Sequence, residues 1–456
     1  MIQPMEHQKA MAFHWAANPR QFDQSDPGTG KTIGTLLGYA LSRKDQGRLL
    51  VFAPLTILKS SWADDIDKLG STLLWSIAHG SEAKRRAAFA TASDIVIINH
   101  DGAKWLANNL DLVTGFSHLC IDESTAFKNA NSLRSKAMAK ITTKIPYVRI
   151  MTGTPNPNTV LDLWHQVSLL DQGKRLGKFY QFRNTCCDVQ QTGPSASMQT
   201  WTDRPDAVDY VADKIKDLTI RFRREDCLDL PERQFSSMLL DCPPWVMAQY
   251  KELMEHSVLE TANGKISAVH ASARIRKLLQ LLSGAVYDEE GAVLKVHDAR
   301  YDLVMQLIEE RQQCLVAYNW KHEVNALTEA AEKMGFAYGV INGATPAAER
   351  ARVVERLQAG ELRVVFAHPQ SAGHGLTMTA ATTTIWCSPT YNSEHYEQFN
   401  ARTYRAGQTK KVEIIRIAFR DTKEIEVYEK LDAKVSHMSD LLSLLTSLNN
   451  PKGIAA

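Results

Sequence analysis

The residues able to do chemistry fall in four places along this 456-residue chain. The first is Ser25-Asp26-Pro27-Gly28-Thr29-Gly30-Lys31-Thr32, set directly before the helical pattern IGTLLGYAL. Small residues let backbone N–H groups close around phosphate oxygens, and the start of a helix adds partial positive charge. Lys31 can then reach terminal phosphates and the Thr32 hydroxyl can ligate Mg²⁺. The stricter pattern GxxxxGK[ST] has glycine where Ser25 stands, but Gly28, Gly30, Lys31 and Thr32 keep the mechanism. A Gly-rich turn capping a helix is the plainer alternative.

A phosphate loop needs a second, carboxylate-bearing strand end, and HLCIDEST at 118–125 supplies one. Asp122 would hold Mg²⁺ and Glu123 would orient or deprotonate water. Alone, such an acidic pair is more often a solvated turn, and its place after a buried strand in the same lobe as Lys31 favours the functional reading. Met151-Thr152-Gly153-Thr154-Pro155 ends a third strand with two hydroxyls and a glycine. In EQFNARTYRAGQ, the spacing of Gln398, Arg402 and Arg405 predicts one shared helical face, followed by Gly407 and Gln408. Such a face is commonly a surface salt-bridge face. It also suits arginine fingers for a γ-phosphate.

These residues require strand ends to carry them. Apolar runs at 49–53, 94–98, 118–122 and 147–151 read as buried parallel strands. The rhythm returns at 314–318, 337–341, 362–367, 383–387 and 412–419, which predicts two α/β lobes. Between them, over 157–290, strands look scarce and helical stretches such as VMAQYKELMEHSVLE dominate, broken by QQTGPSASMQT. The expected division is 1–170 for the first lobe, 171–290 for a helical insert and linker, 291–440 for the second lobe and 441–456 for a tail whose end, SLNNPKGIAA, frays.

Composition narrows the function classes. Fifty-three Lys and Arg against 51 Asp and Glu leave a net charge of +2, so an anionic partner must be held by local patches rather than a global field. The composition, 44% apolar and 23% charged, is that of an ordered globular chain. Seven cysteines without CxxC spacing suggest a reducing cytosol, with no zinc assigned. The start MIQPMEHQ has no basic and apolar leader, and no apolar run approaches the ~20 residues of a membrane span. A cytoplasmic protein is expected.

The order of motifs resembles superfamily 2 helicases, and more narrowly their Swi/Snf-like family of double-stranded-DNA translocases, over about residues 4–435. PMEHQKAMAFHW resembles the adenine-reading Q motif with Gln8, and APLTILKSSWADDIDK resembles motif Ia with Pro54 and Trp62. AHGSEAKRR and DIVIINHD resemble the segment that follows. DESTAFKN is similar to DEAHxxKN in Asp122, Glu123, Lys128 and Asn129, and TGTPNPNTVLDLW is similar to TGTPxxNxxxELW. IRFRREDCLDLPER at 220–233 resembles RRxKxxVxxxLPxK, the narrowest signal, which joins the lobes in this family. VINGATPAAERARVVERL, SAGHGLTMTAA with Gly375, and QFNARTYRAGQ resemble motifs IVa, V and VI. Thr125 replaces the DEAH histidine, which questions the link from the metal site to Thr152 and Thr154.

The resemblance implies a P-loop NTPase of two RecA-like lobes with parallel sheets plus the insert and linker, of a minimal bacterial or bacteriophage kind without chromatin-reading or nuclease modules. It implies ATP and Mg²⁺ on Gln8, Asp26, Pro27, Gly28, Thr29, Gly30, Lys31, Thr32, Asp122, Gly375 and Gln398, with Glu123, Arg402 and Arg405 serving hydrolysis. DNA, probed without regard to sequence, would meet Thr56, Lys59, Asn319, Trp320, Lys321, Asn342 and Gly343, with Thr152, Gly153 and Thr154 coupling the two events. The expected activity is DNA-stimulated ATP hydrolysis driving translocation by a monomeric core, with remodelling of DNA structures or DNA–protein complexes. Alternatives are a strand-separating, branch-migrating or annealing helicase, an ATP-holding DNA-binding switch without turnover, and a small-molecule kinase that would leave the second lobe without a role.

Overall fold

Two parallel sheets organise the chain. The first contains β1 (Arg20–Asp23), β2 (Arg48–Ala53), β3 (Trp75–Ala78), β4 (Ile95–Asn99), β5 (Phe116–Asp122) and β6 (Tyr147–Met151). A hairpin follows, β7 (Cys187–Gln191) with β8 (Gln199–Asp203), and then β9 (Thr219–Ile220) returns to the sheet, whose order is β3-β4-β2-β5-β6-β1-β9. Every pairing in it is parallel. Alternate residues enter separate cores on the two faces. Leu50, Phe52, Val96, Ile98, Leu119 and Ile121 share one cluster, and Leu49, Val51, Ile95, Ile97 and Cys120 share the other. Burial on both faces is why these strands read as unbroken apolar runs.

The computed structural model describes residues 3–43, 47–70, 72–191, 199–256, 258–261, 264–267, 271–288, 290–373 and 375–449. The chain divides into one unit of residues 1–229 with 434–456 and a second of residues 230–433. The second unit opens with β10 (Arg233–Leu240), followed by two antiparallel ladders, β11 (Val258–Thr261) with β12 (Gly264–Ser267) and β13 (Ala285–Tyr287) with β14 (Val293–Lys295). Its main sheet adds β15 (Cys314–Ala317), β16 (Tyr338–Ile341), β17 (Val364–Ala367), β18 (Thr383–Trp386) and β19 (Val412–Phe419) in the order β10-β19-β18-β15-β17-β16, all parallel. Val316, Phe366, Ile385 and Ile415 meet in its core.

The two α/β lobes are present, but the stretch 157–290 is not strand-poor. It carries β7 to β13, and β10 is an eight-residue strand. Its exposure alternates along an edge of the sheet, so RQFSSMLL lacks the apolar run that marks a buried strand. The expected tail also differs. Residues 447–449 continue the Lys423–Asn449 helix, and Leu441 and Leu445 lie in the core of the first unit. Residues 450–456, and most of QQTGPSASMQT, lie outside the described residues. No helix among the described residues is long and apolar enough to cross a membrane.

Candidate active site

The phosphate loop links β1 to the Lys31–Ser42 helix. Gly30 caps that helix in the left-handed region at φ 79°, and Gly28 has φ 89°. Both suit glycine, which carries no Cβ penalty there. A Cβ on Gly30 would stand 2.1 Å from Gln8 Nε2, so the Gln8 side chain packs directly on the loop. Gln8 Nε2 donates to Thr29 O at 3.4 Å, and its Oε1 accepts from Met5 N at 3.0 Å. Lys31 Nζ donates to Ser25 O at 2.7 Å and Asp26 O at 3.1 Å, while Thr29 Oγ1 donates to Asp26 O at 2.9 Å. Below the loop, Asp23 is buried in an ion pair with Arg149 and accepts Ser25 N at 2.8 Å.

Asp122 ends β5, within electrostatic reach of Lys31. Its carboxylate accepts Trp62 Nε1 at 2.9 Å and Glu123 N at 3.0 Å. Burial, then the neighbouring Glu123 charge, pushes the Asp122 carboxyl well above the usual carboxylate range, with Trp62 and Lys31 opposing the shift. A buried carboxylate whose charge its surroundings disfavour has the donor chemistry of a Mg²⁺ ligand, because a bound cation would reverse that imbalance. His100 reaches the Asp122 carbonyl at 2.8 Å.

Glu123 adopts φ 49° and ψ 59°, a left-handed conformation unusual for a residue with a side chain. Its Oε2 accepts from Thr152 Oγ1 at 3.2 Å, and Thr152 Oγ1 accepts Thr154 N at 3.1 Å. This bond supplies a link between the acidic pair and the Thr152–Thr154 turn despite Thr125 standing in place of histidine. Gly153 closes the circuit, since a Cβ there would lie 2.5 Å from Pro27 Cδ. Ser124 Oγ donates to Gln166 Oε1 at 2.7 Å, and Gln166 Nε2 donates to Pro155 O at 2.8 Å, which fixes the same two loops from below.

The first unit thus gathers Gln8, the whole phosphate loop, Asp122, Glu123, Thr152, Gly153 and Thr154. Thr56 and Lys59 are exposed on a 3₁₀ turn and π-helical turn after β2. Ser25 is not a defective glycine: its Oγ accepts Phe222 N at 3.0 Å. Arg221 Nη2 donates to Asp26 Oδ1 at 3.1 Å, and Arg224 N donates to Asp26 Oδ2 at 3.0 Å. These contacts, Trp62 and His100 are contributions that spacing alone does not reveal.

In the second unit, Arg402 Nη1 and Arg405 Nη1 both donate to Leu376 O, at 3.2 and 3.0 Å, next to Gly375 at φ 68°. The expected single helical face is corrected: the helix is Ser393–Asn400, and both arginines lie in the turns beyond it. Thr403 Oγ1 donates to Asn400 O at 3.2 Å just beyond the last helical residue. Arg402 Nε still returns to Gln398 O at 2.8 Å, and Gln398 is buried. Asn319 spends its amide on Ser388 O, Ser388 Oγ and Pro389 O at 3.1, 2.9 and 3.1 Å, which makes it a cross-tie between strand ends. Asn342 organises its own turn by accepting Ala344 N at 2.9 Å; Gly343 and Lys321 are exposed, and Trp320 is half-buried beside His322.

Comparison with known proteins shows the family. Residues 24–287 match the SNF2-related domain, and residues 299–407 match the helicase conserved C-terminal domain. The chain belongs to the SNF2-related helicase family and is an ATP hydrolase of the DNA-helicase class. It is 29% identical over 435 residues to protein p41 of Acyrthosiphon pisum secondary endosymbiont phage 1, covering 91% of this chain and 92% of that one. It is 22% identical to YwqA of Bacillus subtilis (strain 168), named for an ATP-dependent helicase/translocase activity, over 90% of this chain but 45% of YwqA. The chain therefore spans nearly all of p41 and less than half of YwqA. The Sulfolobus solfataricus SWI2/SNF2 ATPase core in complex with dsDNA is similar at 20% identity and TM-score 0.45, covering 97% of this chain and 93% of that one.

Proposed function

We propose that this chain is a DNA-stimulated ATPase that translocates on double-stranded DNA. The observation that carries the reading is the bond from Thr152 to Glu123, which ties a water-orienting carboxylate to a turn packed on the phosphate loop. ATP with Mg²⁺ would supply an activated γ-phosphoryl group and the charge neutralisation its transfer needs. Lys31 and the loop amides hold the phosphates, Thr32 and Asp122 provide oxygen ligands, and Gln8 orients the adenine. Glu123 orients the attacking water and accepts its proton. Arg402 and Arg405 supply positive charge for the transition state, a contribution of roughly 10³ to 10⁵ in rate for such arginines.

DNA contacts run through Thr56, Lys59, Trp320, Lys321, Asn342 and Gly343, mainly to phosphates, as suits a motor indifferent to sequence. Nucleotide-dependent differences in DNA affinity then bias movement along the track. The test is steady-state ATPase with no DNA, linear duplex, single strand and fork, beside triplex displacement and fork unwinding. Stimulation by linear duplex with triplex displacement is expected. Unwinding without displacement would favour a strand-separating enzyme, and turnover indifferent to DNA would sink the proposal.

A further inference from the structure

The phosphate loop is clasped from one side by the stretch that runs on toward the second unit. Four hydrogen bonds form the clasp: Gln24 N to Ile220 O at 2.9 Å, Asp26 N to Phe222 O at 3.1 Å, Phe222 N to Ser25 Oγ at 3.0 Å and Arg224 N to Asp26 Oδ2 at 3.0 Å. The Arg221–Asp26 ion pair reinforces them, with the Arg221 side chain only 8% exposed. Arg221 Nε and Nη1 are buried without hydrogen-bond partners, so Asp26 is the acceptor that compensates its charge. A glycine at 25 would abolish the Phe222 bond.

The same two residues are those whose carbonyls Lys31 grips. An ammonium has three donors, and turning them to phosphate oxygens withdraws a cation from the Ser25 and Asp26 carbonyls. Taking the loop to be the nucleotide site, we propose that Ser25, Asp26 and Arg221 form a latch through which nucleotide at Lys31 alters the order of residues 219–229, immediately before the second unit begins at Leu230. Arg221 acts here as a positioning residue, through Asp26.

The test is hydrogen–deuterium exchange on the full chain with Mg²⁺ and either ADP or a non-hydrolysable ATP analogue, with nucleotide binding measured separately by fluorescence titration. In the wild type, nucleotide should change exchange of the Asp26, Phe222 and Arg224 amides by about threefold or more. Arg221→Gln should bind nucleotide yet lose most of that response, Arg221→Lys should recover part of it, and Ser25→Gly should lose the Phe222 component alone. The DNA-stimulation ratio of Arg221→Gln should fall with the exchange response. Bound nucleotide with no exchange change in the wild type, or an unaltered response in Arg221→Gln, overturns the latch. Failure of the wild type to bind nucleotide overturns the nucleotide reading together with it.

Discussion

Thr152 donates its hydroxyl to Glu123 Oε2 across 3.2 Å, joining the end of β5 to the turn after β6. Thr152→Val removes the donor while keeping the branched shape. We expect kcat to fall about tenfold with KM for ATP changed far less, the pattern for an interaction that matters in the transition state. Glu123→Gln should retain nucleotide and lose turnover by about 10² or more. Steady-state ATPase assays beside nucleotide titrations check both.

Gly153→Ala would drive a methyl into Pro27, whose Cδ lies 2.5 Å from the required Cβ position. The phosphate loop must shift, so ATP affinity should weaken more than global stability does. Small-to-large changes in packed sites typically cost about 1–3 kcal/mol. A thermal melt with and without nucleotide separates the two effects.

Arg405→Ala should keep ATP binding and lose most DNA-stimulated turnover. Arg402 is more deeply buried and bonded to both Gln398 O and Leu376 O, so Arg402→Ala should also lower the melting temperature. Equal turnover in Arg405→Ala and wild type would discard its assignment to the γ-phosphate.

Acid should destabilise both units. Burial drives His118, His297 and His322 down to about 4. Their unfolded forms take up protons near pH 6.5 while the folded forms stay neutral, so the stability they contribute is full above about 6.5 and is lost as pH falls toward 4. Each can contribute a slope of up to about 1.4 kcal/mol per pH unit in that window. His437 has the opposite sign: its bond to Asp203 raises its pKa, so its contribution is full at low pH and lost as pH rises through the folded value. Urea midpoints measured from pH 4.5 to 8 should show a net fall on the acid side.

Lys59→Ala should weaken DNA binding alike on all sequences and lower the slope of log affinity against log salt by about 1. Titrations at several salt concentrations on two unrelated duplexes test this.

What the sequence reveals follows from how each residue is buried. Strands β2, β4 and β5 were legible because both faces are covered, which demands apolar residues throughout. β1, with Gln21 and Asp23 inside, carries no such mark; Gln21 Nε2 meets His14 and Asp23 pairs with Arg149 there. The form of the loop was legible because its glycines sit where positive φ is required before a helix, a local demand. Trp62 and Asp122 stand 60 residues apart, and Ser25 and Phe222 stand 197 apart, so no local pattern encodes either bond. The helix ends at Asn400, short of both arginines, which a 3.6-residue periodicity does not register.

The left-handed backbone of Glu123 has a consequence for how this enzyme can be improved. A non-glycine residue held there costs on the order of 1–3 kcal/mol. Glu123→Gly should therefore yield a sturdier but inert protein. Selection for thermal resilience alone would drift toward that torsional relief, whereas, on the role proposed for Glu123, selection for turnover would retain the tension at this position.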